Sequence, residues 1–271
     1  MSPEKTPVYL ILGSAGSGRR ELLTDLITDG LAPGDQPAVL LPATEDPHPL
    51  DASLPPGPRW TWQPGPPALI AVEKPSVSGP LFLVMDGRRN PVDQLEAVKA
   101  WLEGNHAAVA RVFCVIDCTL ASRHPALLAW YDACIHFSDV VLLNRREGVE
   151  NRWLSGFLEH FRTQHLPCLF ETVKAGRVKN PALLLEPQAR RLTQIFDDEQ
   201  DWVVTDLEGG EIEEGAEGDE DEEVLAAPAE DPYLARRSGG RRVKEIPDLA
   251  DFLDQPEKKN AGGKSPSPGP S

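Results

Sequence analysis

The stretch that most constrains this chain is residues 8–23, where the apolar run VYLILG leads straight into SAGSGRRELL. VYLILG (8–13) is short, β-rich and apolar throughout, without the alternation of a half-exposed strand. It predicts a strand buried on both faces, as in a parallel sheet. RRELLTDLIT (19–28) follows with Leu22, Leu23, Leu26 and Ile27 on one helical face. Between them lie Gly13, Ser14, Ala15, Gly16, Ser17 and Gly18, in the spacing Gly13-x-x-x-x-Gly18 with Gly16 as an additional match. Glycines in such a loop let the chain curl until backbone N–H groups point inward. The following helix adds its positive N-terminal end. A strand–glycine loop–helix of this form therefore reads as a phosphate-binding loop.

Two positions depart from that form. A phosphate loop carries a Lys that reaches the β- and γ-phosphates and then a Ser or Thr whose hydroxyl holds magnesium. Here those positions hold Arg19 and Arg20. Arg19 keeps a positive charge in a longer, planar group. Arg20 has no acceptor to offer a metal, and Ser17 and Thr24 are nearby hydroxyls outside the ligand position. Hydrolysis depends on positioned metal and phosphate charge, so turnover is expected to be badly impaired and a role for magnesium is doubtful.

Further along, strands and helices alternate. Strands are expected at 37–43, 68–73, 80–87, 109–118, 139–144 and 167–173, with a short one at 59–63. Helices are expected at 90–104, 125–138, 149–165 and 187–196. Asn90 caps the first of these, Pro91 opens it and Gly104 ends it. The Pro-rich span 42–67 predicts an irregular loop. Trp60 and Trp62 within it suit packing over the sheet or, alternatively, partner binding. The fold class is α/β, a three-layer sandwich of the P-loop NTPase type around a mainly parallel sheet.

Charge divides the chain. The net charge is −16 at pH 7, and the 35 positions from Asp197 to Asp231 hold 17 acidic residues with no Lys or Arg. Such a block is solvated and self-repelling. Residues 1–196 are thus expected to form the nucleotide-binding domain. Residues 197–271 are expected to form a largely disordered acidic tail with a short helix at 246–253. The tail would repel phosphates, which argues against nucleic acid as its partner. The RRSGGRRVK cluster (236–244) is expected to pair loosely with the acidic block; an arginine finger or anion site is the alternative. No apolar stretch reaches the ~18 residues of a membrane span, and no secretory signal is legible. Cys114, Cys118, Cys134 and Cys168 lack CxxC spacing. They are expected to be buried reduced thiols in a cytoplasmic protein, with zinc or disulfide roles as the alternative.

The order of these landmarks resembles the CobW/HypB/UreG class of P-loop GTPases, and most closely its CobW-like branch, over roughly residues 7–185. GSAGSGRRELL is similar to that branch's G-x-x-G-x-G-K-T-T-L-L loop. LFLVMDGRRNPVDQLEAV is similar to its second-switch strand, with Gly87 and Pro91 matching and Val84 at the acidic position. Period-two alternation puts Asp86 on the same face as Val84, so Asp86 is a candidate to substitute. ARVFCVIDC is similar to its V-V-D strand. SDVVLLNRRE is similar to the strand that ends in the N-K-x-D guanine motif: Asn144 matches, while Arg145 and Glu147 replace Lys and Asp. LPCLFETVKAGRVKNPALL is similar to the stretch after it.

The resemblance implies GTP or GDP as ligand, cradled by residues 13–18 with charge from Arg19 and base reading by Asn144 and Glu147. It also implies an unidentified protein partner and a link to metal homeostasis or metal-centre assembly. The family's C-x-C-C metal signature is missing. Glu45, Asp46, His48 and Asp51 are the clustered polar residues in that region, and a solvated loop is the expectation for them. Asp117, at the carboxyl end of its strand, is open between a site role and a helix cap. The simultaneous changes at Lys, Ser/Thr, the acidic switch residue and the guanine Asp leave a second reading, a pseudo-GTPase serving as a protein-interaction module. A third is an enzyme using the same sheet for another phosphate-bearing substrate.

Overall fold

The computed structural model describes residues 5–197 and 231–253. Six strands form one sheet: β1 (Thr6–Gly13), β2 (Ala38–Leu40), β5 (Leu81–Val84), β6 (Ala107–Asp117), β7 (Val140–Asn144) and β8 (Leu169–Thr172). Their spatial order is β2-β5-β1-β6-β7-β8, and every pairing is parallel. β3 (Thr61–Gln63) and β4 (Leu69–Ala71) make a separate antiparallel pair. A parallel strand covered on both faces has no polar side to show, which is why β1 and β5 read as unbroken apolar runs.

The helices are α1 (Arg19–Gly30), α2 (Pro91–Gly104), α3 (Cys118–Arg123), α4 (Leu128–His136), α5 (Asn151–Arg162), α6 (Pro181–Leu185) and α7 (Ala250–Leu253). Alternate strand residues feed two cores. Val8, Leu10, Leu83, Cys114 and Leu143 pack with α2, α4 and α5. Tyr9, Ile11, Val84, Phe113 and Leu142 pack with α1 and α6. The result is the three-layer α/β sandwich expected from the sequence. Helix α2 starts where it was predicted: Asn90 accepts hydrogen bonds from the Val92 and Asp93 N–H groups, and Pro91 opens the helix.

Several elements differ from expectation. Residues 187–196 are irregular and end in a turn rather than forming a helix. The buried Asp139 carboxylate takes the Arg190 N–H at 2.5 Å and the Arg191 guanidinium at 3.3 Å, and so fixes that chain locally. Residues 125–138 divide into a 3₁₀ turn at Pro125–Leu127 and α4. Two short helices were not foreseen. The last carbonyls of α6 are capped by groups remote in sequence: Tyr9 Oη donates to Leu185 O and Arg111 Nη1 to Leu184 O. α3 starts on Asp117, whose carboxylate accepts from the Leu120 N–H at 2.9 Å. The Pro-rich span carries a 3₁₀ turn at Pro49–Ser53 that was not foreseen, while β3 falls within the short strand expected at 59–63. Its Trp60 is buried, with Nε1 donating to Val84 O at 2.8 Å, so packing over the sheet is what that side chain does.

Residues 231–253 lie against the domain. Tyr233 and Leu249 join the core on the α2–α4 side. Arg242 binds both Asp93 and Glu96 of α2, and Arg236 binds Glu96. The expected loose pairing of the basic cluster with the acidic block concerns positions 198–230, which lie outside the described residues.

Candidate functional site

The site is built where β1 gives way to α1, beside the point at which strand order reverses. The next strand in sequence, β2, goes to one side of β1, while β6 lies on the other. Gly13, Gly16 and Gly18 have φ of 138°, 80° and 91°, the left-handed region that favours glycine. Gly18 is the residue before the helix and offers no side-chain cap, so the first N–H groups of α1 are left for something else to satisfy. Inside the loop, the Ala15 N–H donates to Gly87 O at 2.9 Å and the Ser17 N–H to Ser14 O at 3.1 Å. Ser14 and Ser17 are fully buried; the Ser14 hydroxyl meets the Tyr131 hydroxyl, and Ser17 Oγ has no hydrogen-bond partner.

Both arginines are engaged by the segment after β2. Arg19, 4% exposed, donates through Nη1 to Met85 O and through Nη2 to Glu45 Oε1. Arg20 donates through Nη1 to Glu45 Oε2 at 2.9 Å, through Nε to Asp51 Oδ1 at 2.5 Å and through Nη2 to Asp46 O at 3.3 Å. Glu45 therefore gives one carboxylate oxygen to each guanidinium, and its side chain is 7% exposed. Arg59 continues the network, with Nη2 on Asp51 Oδ2 at 2.8 Å and Nη1 on Glu45 O at 3.0 Å. Burial pushes the Asp51 carboxyl up, but the His48 backbone N–H, Arg20 and Arg59 together hold it below the ordinary value. The solvated loop expected for Glu45, Asp46, His48 and Asp51 holds for the exposed Asp46 and His48 and is corrected for Glu45 and Asp51, whose carboxylates neutralise the loop's arginines. His48 Nδ1 accepts from the Leu50 N–H and caps the 3₁₀ turn.

The residues that resemble a second switch in sequence are also tied. β5 ends at Val84, and Asp86 lies in the following turn. Its carboxylate accepts from Thr44 Oγ1 at 2.9 Å, from the Arg88 N–H and from Arg89 Nε at 3.0 Å. Gln94 closes that turn, its Oε1 accepting from the Asp86 N–H and its Nε2 donating to Asp86 O. Sequence reasoning missed Gln94; the only signal for it was its place one turn inside a Pro-started helix. A Cβ at Gly87 would strike the Ala15 backbone, so this glycine is required by close approach.

On the other side, Asn144 Nδ2 donates to Ser17 O at 2.8 Å. Arg145 has φ of 50°, its carbonyl accepts from Thr119 Oγ1 at 2.8 Å, and Nε lies 3.8 Å from Asp117 Oδ2. Glu147 is exposed. Burial raises the Asp117 carboxyl above its ordinary value against the opposing Leu120 N–H and Arg145. The structure brings together residues 13–20, Asp86, Gly87 and Asn144, while Glu147 stands at the rim of that turn.

A magnesium ion fits these groups poorly. Arg20 has no acceptor, Thr24 Oγ1 donates to Arg20 O at 3.0 Å, and Asp86 already accepts from three groups. Among the described residues no cluster of three or more His, Cys, Asp or Glu is arranged for a metal ion. The four cysteines are buried and unpaired, and burial pushes the Cys118 and Cys168 thiols up to about 12, which makes them poor nucleophiles. No described helix is long and apolar enough to cross a membrane.

No protein-family model and no curated protein matches the sequence. Among solved structures, the chain is similar to the Zn(II)-bound YjiA GTPase from E. coli, at 12% identity and a TM-score of 0.37. It is similar to a Zn(II)-bound triple mutant of YjiA GTPase at 14% identity and the same TM-score. In each case the match covers 66% of this chain and 62% of the solved chain.

Proposed function

We propose that this chain is a diverged CobW-like P-loop protein that binds a guanine nucleotide and does not turn it over. The observation that carries the reading is a retained frame with replaced chemistry. The glycines still curl between a buried strand and a helix. Asn144 still abuts the loop, yet the Lys and Ser/Thr positions are arginines held by carboxylates. Backbone groups of residues 13–18 cradle phosphate, Arg19 and Arg20 supply charge, and Glu147 accepts from the guanine edge. Hydrolysis lacks a metal ligand at position 20 and an acidic residue at position 84. The chain works in the cytoplasm with a protein partner, and metal homeostasis or metal-centre assembly is the process its family resemblance suggests.

Calorimetric titration of the full chain with GTP, GDP and ATP tests this. The expected result is binding of both guanine nucleotides, weaker binding of ATP and no released phosphate. Absence of binding for all three removes the reading. A second reading, a pseudo-GTPase acting only as a protein-interaction module, is favoured by one observation: the Ala15 and Ser17 N–H groups already have internal acceptors. It predicts that absence.

A further inference from the structure

We propose that Glu45 is the resident occupant of the loop's anion site, and that a ligand's diphosphate binds by displacing it, without magnesium. The start of α1 is an electrostatic conflict by itself. Two arginines occupy its first two positions, where the helix dipole already favours negative charge and opposes positive charge. A bound anion resolves that conflict, and Glu45 is the anion present. Its two oxygens are divided between Arg19 and Arg20, the geometry by which a pair of guanidinium groups grips a phosphate. In the same loop the buried Ser17 hydroxyl has no hydrogen-bond partner. Ser17 Oγ stands 3.0 Å from where a Cβ on Gly13 would be, on the side facing Val115 of β6. Buried hydroxyls are rarely left unpaired in native proteins, and a phosphate's acceptor oxygens would satisfy this one.

The segment that carries Glu45 is held in place on its N-terminal side. The Ala43 N–H donates to Trp60 O at 2.8 Å and the Trp60 N–H to Leu41 O at 3.0 Å. Thr44 Oγ1 is fixed by Asp86. Glu45 is thus presented to the arginines by a pinned chain. Displacing its carboxylate would free Arg19 of its carboxylate partner and the Nη1 side of Arg20, which keeps Asp51 on Nε, and so open both guanidinium groups to phosphate oxygens, the work a Lys and a magnesium ion do in an ordinary phosphate loop. The ligand class is a nucleoside di- or triphosphate, recognised first through its diphosphate. The nucleoside part rests on the function proposed above; the displacement itself concerns the anion alone.

The test compares the full-length protein with Glu45→Gln by calorimetry against pyrophosphate, GDP and ADP, each with magnesium and with EDTA. The variant should bind pyrophosphate and GDP at least about tenfold more tightly than the original chain, with EDTA making no difference. Equal affinities for pyrophosphate in the two proteins overturn the proposal, as does a gain that requires magnesium. A gain for pyrophosphate with no preference of GDP over ADP upholds the displacement and removes the guanine reading. Should Glu45→Gln fail to fold, Glu45→Asp takes its place. The shorter carboxylate reaches one arginine at a time, so a smaller gain is expected, and no gain overturns the proposal.

Discussion

A Cβ placed on Gly87 would strike the Ala15 backbone N and come within 2.7 Å of both Ser14 C and Arg19 Nη2. Neither backbone atom can move without opening the glycine loop, so Gly87→Ala should destabilise the protein by about 1–3 kcal/mol in urea titration. An unchanged midpoint would mean the loop is not pressed against this turn. Asp117 makes the opposite case. Its carboxyl is raised by burial, so its folded value lies above its unfolded one. The stability linked to its proton is present below the unfolded value and lost as pH rises through the folded one. Asp117→Asn keeps the cap on Leu120 and removes the buried charge. At neutral pH that variant should melt at the same temperature as the original chain or higher; a drop would assign the carboxylate a favourable role. The glycine positions and the pair of arginines were legible in the sequence, because spacing against a strand and a helix exposes them, and Asn144 was legible through the family resemblance. What Arg19 and Arg20 bind was not. Glu45 is about 25 residues away in a Pro-rich span whose composition signals only a loop, and nothing local marks its carboxylate as buried.

At the scale of elements, long apolar strands and capped helices were readable, and elements stabilised from a distance were not. α2 carries its own start signal in Asn90 and Pro91. α6 depends on Tyr9 and Arg111 from the sheet, and 187–196 is held out of a helix by Asp139 of another segment. The span 231–253 is of the same kind: Arg242 and Arg236 lay it along α2 through Asp93 and Glu96. His136 adds a 2.8 Å contact to Asp231. Burial raises the Asp231 carboxyl, but the His136 side chain and the Tyr233 N–H outweigh it and leave the group depressed. A depressed carboxylate contributes stability above its unfolded value and loses it as pH falls through the folded one, here below about pH 4. Hydrogen exchange, corrected for intrinsic rate, should therefore show 231–243 opening before the sheet as pH is lowered. Simultaneous opening would mean that the pair does not hold this segment. Arg242→Ala should loosen the same residues at neutral pH while leaving β1 and β6 protected.

For the whole molecule, the parallel sheet, the helix layers and the order of landmarks agree with one another from residue 6 to residue 185. Local propensity, apolar patterning and caps point to one architecture there. The departures gather in one place. Arg19, Arg20, Glu45 and Asp51 form a charge network across the strand ends, where a P-loop protein would otherwise gather a Lys, a hydroxyl and a metal. Removing the central carboxylate by Glu45→Ala would leave two largely buried guanidinium groups short of a partner. It should cost about 3–5 kcal/mol in chemical unfolding; a loss near zero would show the network to be solvated. The central claim is a nucleotide site that has exchanged metal-dependent turnover for arginine-held binding. It is tested most directly by the affinity of the full chain for GDP and GTP with magnesium and with EDTA, alongside phosphate release. The account predicts binding of both nucleotides with the same affinity in the two conditions and no phosphate release. Affinity that rises about tenfold or more with magnesium, together with released phosphate, would contradict it.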